Sequence, residues 1–227
     1  MDPFPGEEPR RGLRHPRHGD HTFGIGQLRE AFPRARFLAT PGTIAELERQ
    51  TAPDMYEGFW KRLFPGQIPP VAFPDVLETT SFDVGGLRAR VIETGFTDGP
   101  DSTVLWVPDA GVLAAGDVVY NNTYPYLSET TSETRLSWIA TLERLDELAP
   151  PRVVCAHKDA RRGDSPTDID ATIRYLRDVA EVERTASDAL DFYRRMLAIQ
   201  PGRLNIGSLW GAARALMPEP PADRAPR

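Results

Sequence analysis

The sequence predicts a layered α/β domain, and three observations carry that reading. Short apolar runs alternate with helix-patterned segments, as over 36–50. Two hairpins with strong turn signals occupy the middle of the chain. Two apolar runs stop abruptly, one at Gly116-Asp117 and one at His157, as strands of an α/β sheet do where a ligand crevice forms.

The elements follow in order. Residues 1–17 hold charges and prolines but no apolar h-region, so they read as an irregular segment and not as a secretory signal. Over 22–32, Phe23, Leu28 and Phe32 are spaced for one helix face, which Pro33 ends. A short strand is expected over 36–40. Thr40 then caps a helix that runs to about Gln50 with Pro41 in its tolerated first turn.

Residues 52–75 break the pattern. Their prolines exclude them from a central sheet, and Tyr56, Phe59, Trp60, Phe64 and Phe73 fall among them. Two readings stand. The segment forms a semi-rigid aromatic wall over an active site, which makes Trp60 a candidate substrate-binding residue. Otherwise Tyr56, Phe59, Trp60 and Leu63 form a short amphipathic helix packed on the core.

Gly85-Gly86 separates 79–83 from 87–91, a hairpin signal. A second hairpin pairs 104–107 with 112–115 across Pro108-Asp109-Ala110-Gly111. Thr130-Thr131-Ser132-Glu133 fits a capping box opening a helix to Leu148. Residues 152–156 read as the last buried strand. Ser165-Pro166-Thr167-Asp168 opens a helix to Ile199 with a break near Ala186, and 208–217 is a final helix. The domain is therefore expected over 18–160, with C-terminal helices over 161–218 packed on it and a Pro-rich, disordered tail over 219–227.

Composition narrows the function classes. A net charge of −6 disfavours a nucleic-acid partner, because backbone phosphates need a basic surface. No run reaches the roughly 18 consecutive apolar residues of a membrane span. The single cysteine excludes an internal disulfide, which fits a reducing, cytoplasmic setting. Cys155 itself reads as a small buried hydrophobe, with a metal or redox role as the alternative.

The chemistry concentrates in three places. His18-Gly19-Asp20-His21 crowds two imidazoles and a carboxylate into four residues; Asp117 and His157 follow at the two strand ends. Nitrogen and carboxylate donors gathered from such points suit a borderline divalent metal such as zinc. A Gly-Asp after a strand, taken alone, is most often a turn; beside the other two segments it reads as a ligand. Tyr120, Asn121, Asn122, Tyr124 and Tyr126 follow Asp117 directly, so they either border the pocket as substrate contacts or finish a turn. Arg161-Arg162 reads as a solvated charge pair.

HGDHTFGIGQLREAFP, STVLWVPDAGVLAAGDVVYNN and PRVVCAHK together resemble the metallo-β-lactamase superfamily, in its hydrolase branch. That family carries a His-x-His-x-Asp-His loop, a later His, a Gly-Asp at a strand end and a final His. The resemblance implies an αββα sandwich, a metal set of His18, Asp20, His21, Asp117 and His157, and one or two zinc ions or another divalent metal. It implies that Asp20 and Asp117 act in catalysis.

Two positions depart from the pattern. The first His of the loop falls on Pro16, with His15 one place too early, and the third His falls on Phe96. One metal position thus keeps Asp20, His21 and His157 with Asp117 as a bridge, while the other keeps His18 and Asp117. The superfamily also places strands ahead of its first metal loop, so this chain is expected to lack the first N-terminal strands of the sandwich. A sheet edge left unpaired that way predicts a homodimer or a tendency to aggregate.

The implied function is a metal-dependent hydrolase attacking an ester, lactone, thioester or amide carbonyl of a small molecule. The alternative is a truncated or degenerate member with impaired metal binding and no catalysis. A di-iron reductase, which the superfamily also includes, fits less well, since those proteins resemble a pattern with Glu where His18 stands.

Overall fold

The computed structural model describes residues 19–217, Asp20 by its backbone alone. The segment 1–17 with His15 and Pro16, the candidate ligand His18, and the tail 219–227 lie outside the described residues.

A five-stranded sheet organises the chain, in the order β3 (Ser81–Val84), β4 (Leu87–Gly95), β5 (Ser102–Val107), β6 (Val112–Gly116), β7 (Arg152–Cys155). The first three pairings are antiparallel and β6–β7 is parallel. The β3–β4 turn has the positive φ at both central positions that a two-residue hairpin of matching twist requires, 58° at Gly85 and 83° at Gly86. A 3₁₀ turn at Pro108–Ala110 joins β5 to β6. Parallel β6 and β7 cannot be joined by a tight turn, and α6 (Ser132–Asp146) makes the crossover.

The core lies on one face of this sheet. Val104, Trp106, Leu113, Ala115, Val153 and Cys155, alternate residues of β5, β6 and β7, are buried with Trp138 and Leu142 of α6. Residues of α7 (Thr167–Thr185), α8 (Ala189–Ile199) and α9 (Ile206–Leu216) complete the cluster, among them Tyr175, Leu176, Phe192, Met196 and Leu209. The expected break at Ala186 is where α7 ends, and Asp188 caps α8 by accepting from the Asp191 amide at 2.8 Å.

The capping box of α6 is displaced by one residue from the expected position. Thr131 and Thr134 cap each other reciprocally, at 3.2 Å and 2.8 Å. Thr130 is engaged elsewhere: its hydroxyl donates to the Leu127 carbonyl at 2.8 Å and accepts from Arg135 Nη1 at 2.9 Å.

A second group of elements covers the sheet's ligand end. The helix expected over 22–32 is divided at Phe23-Gly24 into α1 (Gly19–Thr22) and α2 (Ile25–Ala31). Next come β1 (Leu38–Ala39), α3 (Pro41–Thr51), α4 (Pro53–Met55), a π-helical turn at Tyr56–Trp60, α5 (Lys61–Leu63) and β2 (Asp75–Val76). β1 and β2 form a two-residue parallel pair apart from the main sheet. No helix among the described residues is long and apolar enough to cross a membrane.

Cys155 takes the bland reading. It is buried in the core cluster, and burial pushes its thiol pKa up to about 12. Because the thiolate is the reactive form, alkylation by iodoacetamide at about pH 8 is expected to be at least tenfold slower in the native protein than in urea. Equal rates in the two states would show that Cys155 is open to solvent.

Candidate metal centre

The parallel register of β6 and β7 brings the two strand-end residues together. Gly116 pairs with Cys155, and the Ala156 amide donates to the Gly116 carbonyl at 3.0 Å, so Asp117 and His157 leave the sheet side by side. Gly116 has φ 54°, a left-handed conformation that turns the chain out of the strand at this point.

His21 arrives from α1. Gly19, two residues earlier, lets two aromatic rings close on the α1 backbone: a Cβ there would lie 2.5 Å from the Phe23 ring and 2.7 Å from Trp60. Phe23 meets Trp60 edge to face at 5.2 Å, and both pack with Leu47 of α3. Trp60 therefore does not form a wall over the site, as one reading of 52–75 expected; with Tyr56 and Phe59 it joins a small buried cluster under α1. An indole in that setting still needs a partner for its N–H, and Nε1 donates to Gln50 Oε1 at 2.9 Å.

His21, Asp117 and His157 present ligand atoms that all lie within 4.8 Å of one another. Both imidazoles offer Nε2 to the same carboxylate oxygen, Asp117 Oδ2, at 3.0 Å for His21 and 3.4 Å for His157. The carboxylate is the more sheltered member: its side chain is 10% exposed, against 32% for His21 and 38% for His157. Burial alone would raise the Asp117 pKa, but the hydrogen bonds from His157 and His21 outweigh it and hold the group well below the usual carboxylate range. Asp117 is thus ionised, as a ligand must be.

The donor set fits a zinc-type ion. Two imidazole nitrogens and one carboxylate oxygen are borderline-to-hard donors, and ligands about 2 Å from one ion lie roughly 3–4 Å apart, a span that small side-chain rotations reach from here. Phe96, in the third His position of the family pattern, offers no donor, and the Asp20 side chain lies outside what is described.

A second layer fixes His157. The Tyr120 ring stacks on its imidazole, centroids 5.7 Å apart at 10°, and the Tyr120 hydroxyl donates to Asp98 Oδ2 at 3.2 Å. The His157 carbonyl accepts from the Asn121 amide at 3.2 Å and from Thr123 Oγ1 at 3.3 Å. Asn121 is itself anchored, its Nδ2 donating to Asp168 Oδ2 at 2.8 Å and to the Gly163 carbonyl at 3.0 Å. Arg161 grips buried Asp159 with two hydrogen bonds of 2.8 Å and holds its carboxyl well below the usual range. Arg161 thus ties the loop after His157 while its side chain stays solvated, 76% exposed.

Such outer partners of metal-binding histidines typically account for 10–100-fold in affinity. Asn121→Ala is therefore expected to weaken zinc binding by about tenfold while leaving the circular dichroism unchanged. An unaltered zinc affinity would show that the Tyr120 stack alone orients His157.

Of the two tyrosines expected as substrate contacts, Tyr124 is buried in the main core, its ring against Tyr175 and its hydroxyl donating to the Gln200 carbonyl at 2.8 Å. Tyr124 is not among the residues that line the cavity beside the triad. Tyr126 is half-buried and lies outside the cavity beside the triad. Both follow Asp117 in sequence, but the chain turns inward at Tyr120 and carries Tyr124 against α7.

That cavity, of about 140 Å³, borders His21 and Asp117 and is lined also by Leu47, Gln50, Asp98 and Asp101. Asp98 and Gln50 carry no distinguishing signal in the sequence. Asp98 sits in Thr97-Asp98-Gly99-Pro100, which reads as an ordinary turn, and Gln50 as the end of an exposed helix.

A family model of the metallo-beta-lactamase superfamily matches residues 17–157. The chain belongs to the metallo-β-lactamase superfamily. Two solved structures share its fold. A metallo-beta-lactamase family protein from Thermus thermophilus superposes with a TM-score of 0.58 at 16% identity, covering 86% of this chain and 68% of that one. A beta-lactamase domain protein from Burkholderia ambifaria gives 0.59 at 20% identity, covering 88% of this chain and 64% of that one. The chain spans about two thirds of the length of these relatives. No curated protein matches its sequence. Within the superfamily's mixed α/β architecture, the His21/Asp117/His157 group stands where β6 and β7 end.

Proposed function

We propose that this protein is a metal-dependent hydrolase acting on an ester, lactone, thioester or amide carbonyl of a small molecule. The convergence of His21, Asp117 and His157 on one point beside a cavity carries that reading. Three protein donors with a coordination position to spare are the pattern of catalytic rather than structural zinc sites. A divalent ion held there supplies Lewis acidity and makes water nucleophilic near neutral pH.

The chain's own residues do the rest. His21 and His157 would hold the ion through Nε2 lone pairs, which requires neutral imidazoles that no longer use Nε2–H toward Asp117, and Asp117 would contribute charge that partly neutralises the cation. With one ion bound, the carboxylate of Asp20 or Asp117 is the candidate proton acceptor. His18 and Asp117 would be the protein's share of a second ion. Leu47 and Val118, both buried, give the cavity apolar walls.

A second reading has one observation in its favour. Phe96 removes a donor from the family's ligand pattern, which suits a degenerate member with impaired metal binding and no catalysis. Zinc reconstitution followed by elemental analysis and a panel of the four carbonyl classes separates the two. The hydrolase reading expects roughly one equivalent of zinc and chelator-sensitive hydrolysis of at least one class. Bound zinc with no hydrolysis of any class would sink the hydrolase reading, and no bound zinc in folded protein would decide for the degenerate member.

A further inference from the structure

The main sheet has two faces, and the helical core covers one of them. Residues opposite each other on paired strands share a face, so the register identifies the other. One row of neighbours on it runs Phe82, Ala89, Val107, Val112 and ends on Arg152. Beside it run Val91, Leu105, Ala114 and Val154. Apart from buried Ala89, the apolar members of both rows are half-buried, and none belongs to either buried cluster. Val84 and Leu87, paired at the β3–β4 turn, extend this surface and are 57% and 40% exposed.

Strands that are apolar on both sides belong in a sheet covered on both sides. Toward the ligand end, Thr103 and Gly116 of this face line the cavity beside α3. The two apolar rows lie beyond that cover. The rest of the chain cannot supply it: 1–18 and 218–227 offer only Met1, Phe4 and Leu13 as large apolar side chains.

The charges of the face stand at opposite corners. Arg152 closes the first row on β7, and Glu93, paired with Thr103, stands on β4 at the ligand end. Both are exposed, and neither makes an ion pair among the described residues. An isologous contact sets one surface against itself, so it must be complementary to its own copy. A two-fold axis between the sheets, perpendicular to the Glu93–Arg152 diagonal, brings each Glu93 to Arg152 of the partner subunit. The diagonal spans about 14 Å across the strands and about 13 Å along them, so the strands of the two copies cross near right angles. That is the orthogonal class of sheet packing.

We propose that this face is the interface of a homodimer, two copies packed sheet against sheet with their strands crossed. The homodimer that the sequence predicts through an unpaired edge would then form through a face. The proposal is independent of the hydrolase reading.

Sedimentation velocity of the full-length protein over a concentration series is the test. The wild type is expected to form a dimer with a Kd of about 10 µM or tighter, as a specific interface of modest area gives. Leu105→Lys puts a charge at the centre of the face and should leave a monomer, because only the dimer would bury that charge unpaired. Glu93→Arg and Arg152→Glu lie on the exposed rim, where folding is not at stake. Each should raise Kd by at least about tenfold, since it sets like charges together twice per dimer. The double exchange restores opposite charges and should return Kd to within about threefold of the wild type.

Circular dichroism checks the fold of each variant; should Leu105→Lys not fold, the rim exchanges decide alone. A wild type still monomeric at about 100 µM would overturn the proposal. So would a dimer unmoved by folded Leu105→Lys, or a double exchange that associates no more tightly than the single ones.

Discussion

Asp117→Asn is expected to lower zinc affinity by at least about 100-fold, more than the 10–100-fold typical of losing an outer partner. Asp117 Oδ2 is the point on which both imidazoles converge, at 3.0 Å and 3.4 Å, and it brings the negative charge of the group. An asparagine amide keeps the shape but loses the charge and half the acceptor capacity. The two histidines would then be left without the carboxylate that holds their Nε2 atoms together. Zinc content after dialysis and a competition titration with a chromophoric chelator measure the effect, with circular dichroism confirming the fold. Retention of wild-type affinity by Asp117→Asn, with loss in His21→Ala and His157→Ala, would place the third donor elsewhere, with Asp20 the first residue to examine.

Trp138→Ala is expected to have the largest effect on stability. The indole is fully buried in the core, tilted against Tyr120 at 6.3 Å, and its Nε1 donates to the Val118 carbonyl at 2.9 Å. Truncating a buried aromatic costs about 3–5 kcal/mol, mostly from lost burial and the cavity left behind. At roughly 2–4 °C per kcal/mol for a domain of this size, the Tm should fall by about 10 °C. Trp138→Phe keeps most of the volume and loses the hydrogen bond, so about 1–2 kcal/mol is expected. The site should feel both changes, because Val118 is the residue after Asp117 and Tyr120 stacks on His157. Urea midpoints and zinc affinity measured on the same variants test the coupling. A Trp138→Phe protein equal to wild type in both would show that the indole fills space and does not position the Asp117 loop.

Much of the chain's local structure is legible in its residues, for local reasons. Gly85-Gly86 predicts the β3–β4 hairpin because side chains resist the positive φ that its turn needs. Thr40-Pro41 predicts the start of α3, and the Thr40 hydroxyl does accept from the Thr43 amide at 3.3 Å. The α6 cap is displaced by one residue because Thr130 answers to Arg135 and Leu127, contacts that a local pattern does not contain.

The site divides the same way. That His21, Asp117 and His157 are donors of the right kind, each at the end of an element, follows from the order of residues. That the last two stand side by side follows only from the parallel pairing of β6 with β7, strands separated by the whole of α6. Trp60 and Tyr124 are candidates through their aromatic character and, for Tyr124, its place soon after Asp117; burial against Phe23 and Leu47 in one case and Tyr175 in the other decides otherwise. Asp98 stays inconspicuous in a turn-like stretch until the fold sets it against Tyr120 and the cavity. The elements, the donors and the family can be read along the chain, because caps, turns and motifs act over a few residues. Which donors meet, which rings are core and which carboxylates line the cavity depend on strand register and on packing between distant segments, so they emerge with the folded chain.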